Sequence, residues 1–438
     1  MRLKLHNIGM LEHAELRLHP LSVIAGENDN GKSTVGKIVF CIIKAINRYK
    51  EDLQESKESR LMEKADELYF SLRRMVSMTD PGNRELLMEI RTRLSALYQV
   101  NQQDFDELQE FVLQLEESHN AVEADQQTSS QHLAEIAAIM HEPEDKKQSI
   151  INAFSKVFAS EFDASLLLQG TSEGSIELWE NDLLLLRLEI SKQGDDNLEI
   201  RLQDEPEPLE LKDATFIETP LILNYHDLLS RSQTMLEVGR RIAWRTGQSY
   251  TTLHTKDLFD KLREPALPID IFTPPRKHEQ TSKLQSIIDG SISYSRKQRD
   301  FVFQRDNESI SIKNTASGIK VFGLLQILLN NEIIGKNTML IFDEPENHLH
   351  PKWQLKLAEF LVYLASQGVN VLVSSHSPYM IEALKRYADR DGLKDQQGFF
   401  LAENRRIEDK DQLSEIFQVL AEPFEIFRQM DAEALRDE

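Results

Sequence analysis

The sequence predicts an α/β fold in which a mixed sheet carries a glycine-rich loop and a helical segment is inserted into the sheet-forming chain. Three observations support this prediction. Residues 1–50 read as two alternating strands, a buried strand, a glycine-bounded loop and an amphipathic helix. Residues 51–160 are charged, poor in glycine and apolar at helical spacing. Residues 161–404 return to strand patterns and then alternate strands with helices, which is typical of α/β proteins.

The composition is that of a soluble globular protein with excess negative charge. The chain has 438 residues, of which 40% are hydrophobic and 28% charged, and its formal net charge is −22. Its apolar runs are shorter than the roughly 20 residues that a membrane span needs, and its start shows no signal segment. The single Cys41 permits no internal disulfide, so we expect a cytoplasmic protein without a membrane partner. The negative net charge repels phosphate on average, so any contact with nucleic acid is restricted to local basic patches.

Changes of pattern predict four segments along the chain. Residues 1–50 form the first part of a head domain, 51–160 a helical hairpin or small bundle, 161–404 the rest of the head, and 405–438 an acidic helical tail. The heptad-like stretches of the insertion last only about two repeats, too short for a long coiled coil. The tail has apolar residues at near-helical spacing, which either dock on the core or bind a partner: Ile416, Phe417, Leu420, Phe424 and Phe427.

A phosphate-binding loop is predicted at residues 26–33, which read GENDNGKS and match G-x-x-x-x-G-K-[ST]. The two glycines let the backbone N–H groups turn toward phosphate oxygens, Lys32 brings a positive charge to the β- and γ-phosphates, and the Ser33 hydroxyl can ligate Mg²⁺. A buried strand precedes the loop and an apolar-faced helix follows it, which is the context that this motif requires. We assign nucleotide binding to Gly26, Asn28, Asn30, Gly31, Lys32, Ser33 and Thr34.

A second part of the same site is predicted where the sequence reads NTMLIFDEPENHLHP, residues 337–351. Two acids end a buried strand there, at the sheet edge where ligands bind in open α/β folds. Asp343 can coordinate Mg²⁺, often through a water molecule, while Glu344 can polarise the attacking water. A further strand ends in SSHSP, and this places His376 within reach of a γ-phosphate. In NTASGIK, residues 314–320, Ser317 and Gly318 start an apolar helix and offer an anion site or an ordinary helix cap.

These motifs, in the order GENDNGKST, ASGIK, LIFDEP and SSHSP, resemble the Walker A, signature, Walker B and switch-histidine motifs of ABC ATPases. More narrowly, DEPENHLHPKWQ followed by SSHSPYMIEAL resembles the AAA-15/AAA-21 group, which includes the ATPase portions of overcoming-lysogenization-defect nucleases and ATPase subunits of antiphage systems. The resemblance covers roughly residues 1–50 and 210–400. It implies an ABC-type head with ATP and Mg²⁺ as cofactors. The helical segment 51–160 lies where similar proteins, such as relatives of the structural-maintenance-of-chromosomes proteins, insert their arms.

The resemblance also implies roles for individual residues. Lys32, Ser33 and Thr34 would hold phosphate and Mg²⁺, His376 would read the γ-phosphate, and the helix start at Ser317 and Gly318 would contact the nucleotide of an opposite subunit. The signature departs from the transporter form LSGGQ at Ile319. No Q-loop glutamine is assigned, although FIETP, residues 216–220, stands where a replacement is expected. The pair His348 and His350 forms either a metal site or, as its match to the family's HLHP favours, a structural turn.

One phosphate loop and one signature occur in this chain, which predicts that two copies share the nucleotide. In the ABC arrangement these motifs meet only across a head-to-tail two-fold interface. We therefore expect a homodimer, or a higher multiple of dimers, that ATP assembles and hydrolysis releases. Each nucleotide would touch both chains, so binding at the two sites would be cooperative.

Three functions remain open for such an ATPase. It scaffolds or gates a separate effector, such as a nuclease in prokaryotic antiphage defence; it acts as a clamp on DNA like the structural-maintenance-of-chromosomes proteins; or it drives a membrane transporter. The large insertion and ASGIK disfavour transport, and the 62 residues after His376 are too few for an appended toprim nuclease domain. DNA contact would fall on local clusters of basic residues: Arg240, Arg241 and Arg245, Arg276 and Lys277, and Arg296, Lys297 and Arg299.

Overall fold

The computed structural model describes most of the chain. The described residues are 1–75, 82–96, 102–118, 123–141, 146–163, 165–193, 197–229, 232, 251–263, 279–295, 300–306, 308–408 and 413–434. Contacts divide the chain into two compact units, one formed by Met1–Asn47 with Ile151–Glu438 and the other by Arg48–Ile150.

The first unit contains a sheet of eleven strands. Its strands are β1 (Arg2–Ile8), β2 (Leu11–Arg17), β3 (Leu21–Ala25), β4 (Glu173–Glu180), β5 (Leu183–Gln193), β6 (Asn197–Leu202), β7 (Asp213–Ile217), β11 (Thr338–Asp343), β12 (Asn370–Ser375), β13 (Gln397–Glu403) and β14 (Arg406–Ile407). A separate three-stranded sheet consists of β8 (Ser291–Ser295), β9 (Asp300–Arg305) and β10 (Glu308–Ser311).

The large sheet is mixed, with the order β6-β5-β4-β1-β2-β14-β13-β3-β12-β11-β7. Strands β13, β3, β12, β11 and β7 are parallel to one another, whereas β6, β5, β4, β1 and β2 pair antiparallel with one another. Strand β14 joins the two groups, antiparallel to β13 and parallel to β2. The central strands β3 and β11 are buried along their whole length, because helices cover both faces of a parallel sheet. The carboxyl ends of β3, β12, β11 and β7 therefore lie side by side at one edge.

Helices of the first unit surround this sheet. They are α6 (His226–Leu229), α7 (Leu253–Arg263), α8 (Glu279–Ile288), α9 (Ser317–Asn330), α10 (Pro351–Ser366), α11 (Pro378–Arg390) and α12 (Leu413–Ala434). The core contains the apolar faces of α7 to α11 together with the parallel strands. The start of α12 packs on this core through Ile416, Phe417 and Leu420, whereas Phe427, further along the helix, is exposed.

Two helices continue from the first unit into the second. They are α1 (Lys32–Met75), which begins at the glycine loop, and α5 (Lys146–Phe162), by which the chain returns. Between them the second unit contains α2 (Gly82–Ala96), α3 (Gln102–Ser118) and α4 (Glu123–His141). Side chains from α1 to α4 form a core of its own there, including Leu68, Ile90, Leu108 and Ile136.

The structure confirms the predicted fold class: a mixed α/β sheet with the glycine loop after β3, and a helical insertion. Helix α1 begins at Lys32, and the first strand patterns after the helical insertion form β4, β5 and β6. Among the described residues, no helix combines the length and the apolar character needed to cross a membrane.

Candidate functional site

The predicted site residues converge at the carboxyl ends of the parallel strands. The glycine loop follows β3, Glu344 follows Asp343 at the end of β11, and His376 follows β12. Strands β3, β12 and β11 are adjacent in the sheet. Their terminal residues are therefore neighbours, although Ser33 of the glycine loop and Asp343 are 310 residues apart in the chain. The structure thus brings both halves of the predicted site together.

The glycine loop has a conformation that only small residues tolerate. Gly26 and Gly31 have φ values of 149° and 82°, in the left-handed half of the backbone map. A Cβ atom on Gly26 would lie 2.3 Å from the carbonyl oxygen of Ala402, and one on Gly31 would lie 2.6 Å from the Leu11 side chain. Asn28 is exposed at the loop tip and Asn30 is half-buried, so the loop lies open to a ligand. Successive turns of this kind aim backbone N–H groups at an anion.

Lys32 is the cation of this loop and is almost fully buried. Its Nζ donates to the carbonyl oxygen of Glu27 at 2.6 Å and lies 3.9 Å from Oε1 of Glu344. Burial lowers the pKa of Lys32, and the nearby carboxylates of Glu344 and Asp343 oppose this shift. A buried ammonium needs a negative partner. A phosphate entering the loop would supply that charge more directly than Glu344 does.

Ser33 and Asp343 form the predicted metal position. The Ser33 hydroxyl donates to Oδ1 of Asp343 at 3.0 Å, across 310 residues of sequence, and the Ser374 hydroxyl donates to the same oxygen. Burial raises the pKa of Asp343, and the charges of Glu344 and Glu218 raise it further, while the hydroxyl hydrogen bonds act in the opposite direction. A hydroxyl and a carboxylate in contact provide the hard oxygen donors that Mg²⁺ prefers, so these residues fit the metal.

Glu344 lies between the cation of the loop and the predicted switch histidine. Its Oε1 is 3.9 Å from Lys32 Nζ and 3.4 Å from Nδ1 of His376. The backbone of Glu344 has a φ of 47°, and its N–H donates to the carbonyl oxygen of Ser374 at 2.9 Å. Asn347 donates to Oε2 of Glu344 at 3.0 Å. The carboxylate is therefore held at the edge of the sheet, where it can accept a proton from water.

Sequence reasoning gave no role to Glu346, which organises the loop that carries His376. This carboxylate is buried, and its Oε1 accepts from the Ser375 hydroxyl at 2.7 Å and from the backbone N–H groups of His376 and Ser377 at 2.8 and 3.1 Å. Nδ1 of His376 lies 3.4 Å from the same oxygen without a hydrogen bond among the described residues. The third acid of DEPE was the available signal, because a carboxylate so close to the acid pair must point toward polar groups.

Among the described residues of one chain, no hydrogen bond joins the signature residues Ser317 and Gly318 to the glycine loop or the acid pair. Ser317 begins α9, but Ala316 is the capping residue, and the Ser317 hydroxyl donates instead to the carbonyl oxygen of His348 at 2.7 Å. The interpretation of Ser317 as an ordinary side-chain cap is therefore wrong. Gly318 is buried, and a Cβ there would lie 2.9 Å from the Trp353 ring.

Two further sequence predictions have different outcomes. His350 accepts from the N–H of Lys352 at 3.2 Å and caps α10, which favours the structural turn over a metal site for the H-x-H pair. The basic clusters at Arg240, Arg241 and Arg245, at Arg276 and Lys277, and at Arg296, Lys297 and Arg299 all lie outside the described residues. The predicted local nucleic-acid contact stays a prediction.

The AAA ATPase domain family AAA-15 matches residues 1–381, which is most of the chain and includes the glycine loop, the acid pair and His376. The chain belongs to this family. A short stretch of the AAA-15 chain is also similar to the Old nuclease of Escherichia phage P2, with 41% identity over 54 residues. That stretch spans 12% of this chain and only 9% of the phage protein.

Solved structures show remote similarity to this AAA-15 chain. The SMC head domain from Thermotoga maritima is 9% identical, with 93% of this chain and 96% of that chain covered and a TM-score of 0.37. The Smc head domain with an extended coiled coil bound to the C-terminal domain of ScpA, derived from Pyrococcus furiosus, is 10% identical, with 96% and 98% covered and a TM-score of 0.30. The recombination mediator protein RecF is 9% identical, with 93% and 96% covered and a TM-score of 0.35.

Proposed function

We propose that this chain binds ATP with Mg²⁺ and hydrolyses it to ADP and phosphate. The contact between the Ser33 hydroxyl and Oδ1 of Asp343, 3.0 Å long, carries the proposal, because it joins the glycine loop to the acid pair. Lys32 and Glu344 make the same connection at 3.9 Å. Phosphoryl transfer to water requires a cation, a pair of metal-binding oxygens and a basic carboxylate close together in space, and this site provides all three.

Each residue of the site has a separate task in this mechanism. Bound Mg²⁺ would be held by Ser33 and Asp343 and would supply positive charge to the phosphate oxygens. The backbone of residues 26–31 and the Lys32 ammonium hold the β- and γ-phosphates and stabilise the charge that develops there. Glu344 orients the attacking water and accepts its proton. His376, on the loop held by Glu346, donates a hydrogen bond to an oxygen of the γ-phosphate.

The site is proposed to be completed by a second copy of the chain. Among the described residues of one protomer, Ser317 and Gly318 have no hydrogen bond to the glycine loop, yet they begin a helix whose first N–H groups suit an anion. A head-to-tail dimer would bring this helix start to the phosphates bound by the partner subunit. ATP would then favour the dimer, and hydrolysis would weaken it.

The proposed role of this cycle is to scaffold or gate a separate effector in antiphage defence, with a nuclease as the expected effector class. The support is the family itself together with the short match to the Old nuclease of phage P2. ATP-driven association of two heads is a mechanical change that a bound effector can read. Copurification of the ATP-bound dimer with a nuclease encoded beside it would test this role directly.

The Glu344→Gln variant tests the hydrolytic proposal. Glutamine keeps the size of the side chain but cannot accept a proton, so we expect ATP binding to persist while hydrolysis slows by about 100-fold or more. The ATP-bound dimer should accumulate as a result. Light scattering after size-exclusion chromatography with saturating ATP and Mg²⁺ measures the dimer, and phosphate release measures the rate.

Two variants serve as controls for this experiment. Lys32→Ala removes the phosphate-binding cation and should stay monomeric with ATP. Glu210→Gln changes an exposed glutamate before β7, at the opposite end of that strand from the site, and should behave like the wild type. If Glu344→Gln remained monomeric with saturating ATP and Mg²⁺, the shared site would be wrong; if it hydrolysed ATP at the wild-type rate, Glu344 would not be the base.

A further inference from the structure

A buried histidine joins two glutamates beside the nucleotide site. His254, at the start of α7, contacts both carboxylate oxygens of Glu161 in α5. Its backbone N–H donates to Oε1 at 2.7 Å, and its ring Nδ1 lies 2.6 Å from Oε2. Its other ring nitrogen, Nε2, lies 3.2 Å from Oε2 of Glu218. The side chains of Glu161 and His254 are 0% and 2% exposed. We call these three residues the glutamate clamp.

The geometry of the glutamate clamp defines what the ring does. An ionised carboxylate only accepts hydrogen bonds, so a ring with a carboxylate oxygen at each nitrogen donates from both of them. The ring is also packed between aromatic side chains, with centroids 4.8 Å from Phe216 and 6.3 Å from Phe40. Phe216 of β7 and Phe40 of α1 thus hold the plane of the His254 ring. In this orientation Nε2 points at Glu218.

Glu218 is placed next to the predicted metal ligand. Ile217 pairs with Phe342 in the parallel register of β7 and β11, so the following residues, Glu218 and Asp343, are neighbours across strands spaced by about 4.8 Å. Phe216 and Ile341 precede Glu218 and Asp343 by two residues in the chain. Both face α1, because a Cβ atom added to Gly36 of α1 would contact both side chains. Because side chains alternate faces along a strand, Glu218 and Asp343 project on this same α1 side.

The second carboxylate oxygen of Glu218 faces solvent rather than the core. Its Oε2 contacts His254, while Oε1 has no partner in the described part of the chain. The side chain is 53% exposed, in contrast to the buried Glu161 and His254. The charge of Glu218 also acts on Asp343, in agreement with their adjacent strand positions. A half-anchored carboxylate of this kind accepts a hydrogen bond from a nearby donor.

We infer that Glu161 and His254 are positioning residues that hold the Glu218 carboxylate beside Asp343, where Glu218 accepts a hydrogen bond from water in the ATP site. This inference rests on the proposed ATP hydrolysis. Glu344 takes the proton of the attacking water, and Glu218 helps to orient water on the opposite flank of Asp343. The clamp also attaches this position to α5 through Glu161, which belongs to the first unit.

The test is a double-mutant cycle measured on the full chain with ATP and Mg²⁺. We expect Glu218→Gln to lower kcat about 10- to 100-fold, as is usual for partners that orient the inner residues of a site, with little change in the dissociation constant for a fluorescent ATP analogue. His254→Gln should lower kcat similarly. The combined variant should be no slower than Glu218→Gln alone, because both changes remove one interaction.

The outcomes separate the clamp from the proposed function. Glu210→Gln is the matched control and should retain the wild-type kcat, and thermal melting shows which variants fold. A wild-type protein without ATPase activity would overturn the proposed function itself. An active wild type with an inactive Glu344→Gln but an unchanged Glu218→Gln would overturn only the role of Glu218. If the Glu218 and His254 effects multiplied in the double variant, His254 would be a structural residue and the clamp would be wrong.

Discussion

At the scale of single residues, the site depends on buried charges that have several hydrogen-bond donors. Glu346 shows this most clearly, because one of its oxygens accepts from Ser375, His376 and Ser377. The Ser377 N–H also donates to the Ser375 hydroxyl at 3.1 Å. The Ser375 hydroxyl and the His376 N–H depend on Glu346, and an unsatisfied buried polar group is costly. The conformation of the loop that carries His376 is therefore set by a residue of the loop that follows the neighbouring strand β11.

Substitution of Glu346 should separate this hydrogen bonding from charge. Glu346→Ala removes the acceptor of the Ser375 hydroxyl and of the His376 N–H and one of two acceptors of the Ser377 N–H. We expect a loss of about 3 kcal/mol in the free energy of unfolding together with reduced hydrolysis. Glu346→Gln retains an amide oxygen and should lose no more than about 1 kcal/mol. Urea unfolding measures both values. Equal losses for the two variants would contradict the role assigned to this oxygen.

His254 should make the stability depend on pH. Burial lowers the pKa of its ring, but the hydrogen bonds to Glu161 and Glu218 outweigh burial and raise the pKa from 6.5 to about 9. A raised pKa means that this stabilisation is complete below pH 6.5 and is lost as the pH rises through about 9. Its size is about 3 kcal/mol for a shift of this magnitude.

Urea unfolding of the wild type and His254→Gln at about pH 6 and pH 9.5 measures this contribution. We expect the difference in free energy of unfolding between the two proteins to be largest at the lower pH and to shrink at the higher one. The glutamine variant supplies the control, because the other titrating groups are common to both proteins. A difference that stayed constant with pH would show that the histidine is not the titrating group.

At the scale of elements, a ring of four charges attaches two helices to the edge strand β7. Lys44 of α1 and Lys261 of α7 each contact both Asp213 at the start of β7 and Asp257 of α7, at distances of 2.5 to 2.9 Å. Lys261 also donates to Thr215 of β7 at 2.9 Å. Among the described strands β7 pairs only with β11, so this ring supports the strand that Glu218 follows.

Removing one carboxylate from the ring should be strongly destabilising. Asp257→Asn leaves two buried ammonium groups sharing Asp213, and we expect the free energy of unfolding to fall by about 3 to 5 kcal/mol. The exposed pair of Glu12 and Arg406 also joins two strands, so Glu12→Gln is the control and should leave the free energy of unfolding unchanged. Chemical denaturation compares them. A loss for Asp257→Asn as small as that of the control would mean that solvent screens the ring.

At the scale of the whole molecule, the proposed site needs two chains, and mixing variants tests this. Lys32→Ala removes the phosphate cation, and Ser317→Arg blocks the helix start that would reach the partner's nucleotide. Each variant alone should be inactive. Their heterodimer keeps one intact site, so an equal mixture should recover about one quarter of the wild-type sites, provided that subunits pair at random.

The matched control for mixing is a pair of variants in the same half of the site. Lys32→Ala mixed with Asp343→Asn would leave both composite sites broken, because Lys32 and Asp343 act from the same protomer. No recovery is expected there, and phosphate release measures both mixtures. An active Ser317→Arg protein, or no recovery in the first mixture despite heterodimer formation, would argue for a site complete within one chain.

Much of this molecule was determined by the sequence on its own. The glycine loop, the acid pair and His376 could be predicted because each is a local pattern at the end of a buried strand. Carboxyl ends of parallel strands meet at one sheet edge, so local patterns were sufficient to place Lys32 near Asp343. The insertion could likewise be predicted, since helical spacing is written in the chain itself.

Only the tertiary structure decided which distant side chains complete the site. Glu161, Glu218 and His254 lie on three separate elements, and no spacing in the sequence relates them. The same holds for the ring around Asp213 and for the Ser317 hydroxyl, which donates to His348 instead of capping its helix. Such contacts depend on strand order and helix packing, and a buried charge reveals its partner only when the surrounding elements have been brought together.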